Sequence, residues 1–374
     1  MSVNYKERVR KARKLMESEG LDCLYILGGT NQTYFAGWSS YPWGWPYWLS
    51  PLVIPLDGDA AFILTEMHKE IYLSGKEKRW VTDIRTYFDG DREKAFNQLK
   101  TLLKEKKLDK ATIGVENSMA FGDYEVLREV APEAKMKNAQ TLIDTLRQVK
   151  DEQEIQWLRK SAEIGDIYFK AAADYYREGR TIGEVQLEIA KAVFNAGPDG
   201  VSIPTESKSR IIRKGDVFNL EAMYPVHGYS VDVDRDIFIG PPTDRERKMW
   251  QVIVDTYRKI EAMVRPGITC HELDTTCRTL MREGLKGIIP NYTQPWKVGH
   301  GVGLGPGHEA PRLEQGNMAK LVPGMVFSID PGLFIEKYDP IFGYSVPLHI
   351  ERAMLVTKRA CEALEKYTIE LVQV

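Results

Sequence analysis

The sequence predicts an α/β (α+β) chain of two domains: a smaller N-terminal α/β domain and a larger C-terminal half built from two copies of one unit. Three observations carry this. The chain has 374 residues, against ~150 for an average domain. Short apolar runs alternate with amphipathic periodicity through the first third, the pattern of an α/β unit. The remainder repeats its own motifs in the same order, a stronger mark of duplication than any single motif.

Taken in order, residues 5–19 place Val9, Ala12, Leu15 and Met16 on one helical face, and Gly20 stops the helix. The apolar runs 23–27, 51–56 and 60–64 read as strands, with Asp57-Gly58 as the hairpin turn between the last two. Helical patterns at 93–105 and 122–131 flank a strand-like segment at 111–115. The first domain is placed at 1–145 and the second at 146–374. The second opens at 150–157 with a long helix running to about Tyr176.

The duplication follows. One long helix leads to Gly179-Arg-Thr181-Ile-Gly-Glu184-Val185 and a second helix; another, from about Asp244, leads to Gly267-Ile-Thr269-Cys-His-Glu272-Leu273 and a second helix. The Thr and Glu three apart in each form a capping box. Further on, Gly215-Asp-Val217-Phe218-Asn-Leu220-Glu221 matches Gly324-Met-Val326-Phe327-Ser-Ile329-Asp330. A pseudo-twofold between the copies would turn Glu221 and Asp330 toward one cavity, and acids ending apolar strands are costly to bury without a metal or a partner charge.

Composition narrows the partners. Lys and Arg number 51 against 53 Asp and Glu, a net charge of −2, with 43% hydrophobic and 28% charged residues. This excludes a disordered or collagen-like chain and lacks the basic excess of a nucleic-acid binder. The four cysteines, at 23, 270, 277 and 361, form no C-x-x-C pair, so neither a disulfide framework nor a thiolate zinc site is expected. The charged N-terminus has no signal-peptide core, and no run approaches the ~18 apolar residues of a membrane span. The expectation is a cytoplasmic protein without membrane or nucleic-acid partners.

Three segments carry candidate chemistry. Downstream of Glu221, Val231, Val233 and Arg235 alternate with Asp232, Asp234 and Asp236, a period-two strand with one acidic face; Asp234 and Asp236 are expected on a solvated edge. The run Gly299-His300-Gly-Val-Gly-Leu-Gly-Pro-Gly307-His308-Glu309 allows close backbone approach to a ligand but lacks the ending of a phosphate loop. Pro347-Leu-His349-Ile-Glu351-Arg352 puts an acid at the entry of an apolar strand. Glu221, Asp232, His300, Asp330 and Glu351 together suit two divalent ions such as Mn, Co, Zn or Fe. Such a pair activates water and polarises a carbonyl.

These residues carry a family pattern. The C-terminal half resembles the pita-bread (M24) superfamily of creatinase, prolidase, aminopeptidase P and methionine aminopeptidase. The whole chain resembles its creatinase/prolidase branch, through Asn31-Gln-Thr-Tyr34-Phe35-Ala-Gly37 and the linker Leu146-Arg-Gln-Val-Lys150-Asp-Glu-Gln-Glu154. By position, the resemblance implies metal ligands at Glu221, Asp232, His300, Asp330 and Glu351, with Asp232 and Glu351 bridging. It implies a substrate-facing or proton-passing role for His308, and catalytic roles for His308 and Glu351. The departures are specific. Glu221 stands for the family's Asp and Asp330 for its Glu, each moving a carboxylate by about one C–C bond, ~1.5 Å. One extra residue separates His300 from His308, a family His falls on Pro204, and the Arg of the R-I-E motif falls on His349.

Trp38-Ser-Ser-Tyr41-Pro-Trp43-Gly-Trp45-Pro-Tyr47-Trp48 holds four of the eight Trp. It reads either as a loop pinned by its own aromatics or as a substrate wall. In the resembling branch a neighbouring subunit's N-terminal loop caps the site, which implies a homodimer with a composite active site. Trp38, Tyr41, Trp43 and Trp45, with Tyr229, Arg235 and His349, are the expected substrate-binding residues. The functional expectation is a metal-dependent hydrolase of a small C–N substrate, Xaa-Pro dipeptidase or aminopeptidase P-like, with a modified dinuclear site. The alternatives are a creatinase-like hydrolase of a small guanidino or quaternary amine compound, working without metal, and a non-catalytic binding module.

Overall fold

The computed structural model describes residues 3–39, 48–75, 79–201, 208–305, 308–338 and 345–374. The chain divides into two compact units, Met1–Leu146 and Arg147–Val374.

In the first unit, helix α1 (Tyr5–Glu19) starts at Asn4, whose side chain accepts the Glu7 amide, and ends at Gly20 in the left-handed conformation. Strands β1 (Cys23–Ile26), β2 (Leu52–Pro55), β3 (Ala61–Thr65), β4 (Asp83–Tyr87), β5 (Thr112–Val115) and β6 (Lys135–Asn138) form one sheet. Its order is β4-β3-β2-β1-β5-β6. The hairpin β2–β3 is antiparallel, as Asp57-Gly58 predicts. Helices α2 (Gly29–Ala36), α3 (Glu66–Ser74), α4 (Arg92–Glu105), α5 (Phe121–Val130) and α6 (Gln140–Arg147) complete the unit. Tyr25, Ile63, Leu99, Leu103, Ile113 and Leu127 share its core.

Sequence periodicity missed α2, β4 and β6. The edge strands β4 and β6 are mostly polar, as exposed sheet edges are, and so lack alternation. Helix α2 has no apolar stripe and is fixed instead by long-range polar contacts: the Gln32 amide donates to the Ile26 and Ser50 carbonyls, and Asn31 donates to Glu116.

The second unit opens with α7 (Glu152–Tyr175) and α8 (Ile182–Asn195), and later repeats the pair as α9 (Asp244–Met263) and α10 (Cys270–Leu285). Each of the four helices begins with a reciprocal capping box: Asp151 with Glu154, Thr181 with Glu184, Thr243 with Glu246, Thr269 with Glu272. The duplication is thus visible at helix pairs as well as strands.

Strands β7 (Val217–Ala222), β8 (Tyr229–Ser230) and β9 (Val233–Phe238) follow the first helix pair; β10 (Gly299–Gly301), β11 (Gly303–Leu304), β12 (Glu309–Leu313) and β13 (Val326–Ile329) follow the second. Then come β14 (Gly332–Tyr338), β15 (Ser345–His349), β16 (Arg352–Val356), β17 (Cys361–Ala363) and β18 (Val372–Gln373). One sheet runs β18-β9-β7 and another β12-β10-β13-β16-β17. They meet where the Asp234 amide donates to the Glu351 carbonyl at 3.0 Å. Trp250, Leu273, Cys277, Phe327, Leu348 and Met354 belong to the core behind them. Among the described residues, no helix is long and apolar enough to cross a membrane.

Candidate metal centre

The matched strand ends supply the first two acids. Glu221 lies on β7, and Asp330 follows β13. The Asp330 amide donates to the Val298 carbonyl at 2.7 Å. Its own carbonyl accepts from the Gln294 amide at 3.0 Å and the Trp296 indole at 3.1 Å. Asp232 sits just before β9, and its carbonyl accepts the Ser328 hydroxyl of β13 at 2.6 Å. The Glu221 carboxyl shares a hydrogen bond with that of Asp232.

His300 comes in on β10 between glycines. Its neighbour Gly301 passes so close to the Ala310 carbonyl that a Cβ there would collide with backbone, which explains why this strand is glycine-rich. His300 Nδ1 lies 3.2 Å from the Gly301 carbonyl. The His308 backbone amide donates to the same Nδ1 at 3.3 Å, and Nε2 faces Glu351 Oε1 at 3.1 Å and Asp232 Oδ2 at 3.9 Å. The exposed His308 stacks on His300 with ring centroids 4.0 Å apart and planes 17° from parallel.

The electrostatics are those of acids crowded without enough positive charge. Burial, then the charges of Glu351 and Glu221, push Asp232 well above the usual carboxylate range. Burial, then Glu351, Asp232 and Glu221, do the same to Asp330. Glu351 is pushed up to about 8 by burial and by Glu221. Burial lowers His300 and His308, the latter also through His300. Asp232 Oδ1, Asp330 Oδ1 and Glu351 Oε1 are buried with no hydrogen-bond partner. Orphaned carboxylate oxygens converging with an imidazole nitrogen are a donor set for divalent cations. Within 4.8 Å groupings the ligand atoms of Asp232, His300 and His308 meet, as do those of Asp330, His349 and Glu351.

A cleft of about 630 Å³ opens on this cluster, lined in part by Asn219, Glu221, Trp296, Asp330, Phe334 and His349. Trp296 and Phe334 pack edge to face with centroids 5.3 Å apart, and Phe334 is half-exposed. They form an apolar wall that sequence reasoning missed. The two residues lie 38 apart, and only a Trp two residues after Gln294 hints at it.

Several expected positions fall elsewhere. Arg235 does not face the cleft. Its side chain is 1% exposed, pairs with Glu365 at 3.2 Å and donates to the carbonyls of Asp234, Glu351 and Thr368. Strand alternation puts it on the face of β9 opposite the acids. Tyr229 is likewise buried, its hydroxyl donating to Glu154 at 2.9 Å and its ring against Trp157. Asp234 and Asp236, expected on a solvated edge, are 0% and 1% exposed, because β9 is covered by β7 and β18 and its acidic face turns to Asn219 and His349. Trp38 packs inside the first unit against Phe62, Tyr72 and His68. Tyr41, Trp43, Trp45 and Pro204 lie outside the described residues. His349 lines the cleft, as expected.

Comparison with known proteins agrees with this architecture. Residues 156–358 match metallopeptidase family M24, and residues 8–149 match the creatinase/prolidase N-terminal domain. An Xaa-Pro dipeptidase of Pyrococcus furiosus is 27% identical over 98% of this chain and 99% of its own length. An Xaa-Pro dipeptidase of Pyrococcus horikoshii is also 27% identical, over 98% of this chain and 99% of its own. Among solved structures, a prolidase from Thermococcus sibiricus superposes with a TM-score of 0.85 over all of both chains at 23% identity, a likeness of fold. The prolidase from Pyrococcus horikoshii superposes at 0.76 over 98% of this chain and 100% of its own, at 26% identity. With acids at the matched strand ends, a glycine-framed histidine between them, and the family pattern spanning more than half its length, the chain belongs to metallopeptidase family M24, in the creatinase/prolidase branch, and is a hydrolase.

Proposed function

We propose that this hydrolase is a metal-dependent dipeptidase of Xaa-Pro type, with a modified dinuclear centre on Glu221, Asp232, His300, Asp330 and Glu351. The observation that carries the reading is the set of orphaned buried oxygens on Asp232, Asp330 and Glu351 around His300. The two acid exchanges, Glu221 and Asp330, lengthen one ligand and shorten its pseudo-symmetric counterpart, so the ligand charge is kept. Divalent ions such as Mn, Co, Zn or Fe would supply Lewis acidity toward the scissile carbonyl and lower the pKa of an attacking water.

The chain's own residues do the rest. Water adds to the carbonyl carbon, the C–N bond breaks, and the leaving nitrogen gains a proton. Glu351, at the meeting point of Asp232, His300 and Asp330, takes the proton from water. His308, its ring pushed below the usual histidine range by partial desolvation and by His300, hydrogen-bonds the substrate or passes a proton to the departing nitrogen. Trp296 and Phe334 offer an apolar wall to a proline ring. The Xaa-Pro dipeptidase relatives support this substrate class. The reading includes a cytoplasmic homodimer with a composite active site.

The test is a panel of Xaa-Pro dipeptides, non-proline dipeptides, and guanidino and quaternary amine compounds, run with metal and with chelator. Xaa-Pro cleavage that chelator abolishes is the expected result. Turnover of a guanidino or amine compound in chelator, with every dipeptide untouched, would replace it with the creatinase-like reading.

A further inference from the structure

The cleft wall of Trp296 and Phe334 has a support of its own. Trp296 lies in the 286–298 connection between α10 and β10, which forms neither helix nor strand. Ladder hydrogen bonds therefore do not hold it, and its backbone groups need other partners. Arg278 supplies them from α10. Its Nη1 donates to the Gln294 carbonyl at 3.0 Å and its Nη2 to the Trp296 carbonyl at 2.9 Å. Its Nε donates to Asp274 Oδ2, one helical turn earlier, at 2.8 Å.

The Asp274 side chain is 0% exposed and that of Arg278 22%, so a buried carboxylate grips the guanidinium from behind. A guanidinium is planar and carries its donors in a rigid fork, so fixing Nε aims the other two nitrogens. The two carbonyls they meet flank Pro295, whose ring locks φ. Residues 294–296 are thereby held as one short stiff piece.

That piece meets the cleft with a close fit. The Gln294 amide and the Trp296 indole both donate to the Asp330 carbonyl, at 3.0 and 3.1 Å. Gln294 Oε1 accepts the Tyr292 hydroxyl at 2.7 Å and the Gly332 amide at 3.3 Å. The Trp296 ring packs on Gly332, where a Cβ would collide with it. It stands edge to face against Phe334 and His349, with centroids 5.3 and 5.6 Å apart. A shift of residues 294–296 therefore moves the wall.

We propose that Arg278 is a positioning residue: gripped by Asp274, it sets where the Trp296 ring stands, and through that ring how tightly the cleft holds the apolar part of a substrate. The identity of the substrate rests on the dipeptidase reading; the placement of Trp296 does not.

The test uses Arg278→Lys and Asp274→Asn, each alone and combined with Trp296→Ala. Lysine keeps a charge opposite Asp274, but a single ammonium lacks the fork that serves both carbonyls. Asparagine keeps the shape of Asp274 and weakens its grip, and stands in should the first variant not fold. KM for an Xaa-Pro dipeptide should rise about tenfold in Arg278→Lys, the order that a lost apolar contact is worth, with kcat within about twofold. The rise should be smaller in Asp274→Asn. With Trp296→Ala already present, either change should add little, because the ring they place is gone. Lost stability alone lowers the amount of folded enzyme and leaves KM unchanged. The fluorescence of Trp296, taken as the difference between each protein and its Trp296→Ala form, should shift to longer wavelength in both variants. An unchanged KM and an unshifted Trp296 emission, or a KM effect that persists in full without Trp296, overturns the proposal. If the wild type cleaves no dipeptide, the dipeptidase reading fails, and the Trp296 emission then decides this proposal: a shift supports it and no shift overturns it.

Discussion

His300 Nε2 stands 3.1 Å from Glu351 Oε1, and Glu351 is pushed up to about 8 by burial and by Glu221. On the proposed function, a metal entering beside this imidazole would take the place of the proton that the Glu351 carboxyl holds at neutral pH.

Metal uptake should therefore release protons. Below pH 8 the entering ion must displace the Glu351 proton, so affinity rises with pH up to about 8 and then levels. Calorimetric titration in buffers of different ionisation enthalpy measures this directly. One or more protons released per ion at pH 7 is expected; none released contradicts it.

The stability of the metal-free protein should fall as pH rises from 6.5 to 8. Glu351 has a folded-state pKa of about 8 against a reference of 4.5. Between those values the folded state holds a proton that the unfolded state has lost, so stability drops by about 1.4 kcal/mol per pH unit for that one group. His349, lowered to about 3 by burial, works in the opposite direction but only below its reference of 6.5. The window above 6.5 isolates the acids. Denaturant melts of chelator-treated protein check the slope, and a flat or rising profile there speaks against crowded carboxyls.

Arg235 is a structural cation, with Glu365 as its partner and Phe169 beneath it at 5.4 Å. Arg235→Met would leave the Glu365 charge with Arg352 as its remaining close partner. Breaking one side of a buried pair costs about 3–5 kcal/mol. The melting temperature should fall while KM for any substrate stays unchanged. A changed KM with intact stability would return Arg235 to the substrate site.

Asp232→Asn separates function from stability. It removes one of the crowded acids, so the metal-free variant should be at least as stable as metal-free wild type at pH 8, while metal binding and turnover are lost. A variant much less stable without metal would mean that Asp232 is there for the fold.

What the sequence showed and what it hid follow from the range of the interactions. The β2–β3 hairpin and the capping boxes at Thr181 and Thr269 are local, and their residues announce them. The five candidate ligand positions came from order and resemblance, and the contacts that bring these side chains near one another are in no local pattern. The burial of Asp234 and Asp236 was hidden for the same reason. An acidic strand face reads as solvated until a histidine over a hundred residues later is known to close over it, as His349 does. The edge strands β4 and β6 were hidden because their polar residues carry no alternation.

The most direct test of the central claim is the metal content of the protein purified without added chelator, read beside its Xaa-Pro dipeptidase activity. The account predicts at least one tightly held divalent ion per chain, absent from Asp232→Asn, with activity lost and regained as metal is removed and restored. Undiminished turnover in a preparation shown to be free of metal would contradict it.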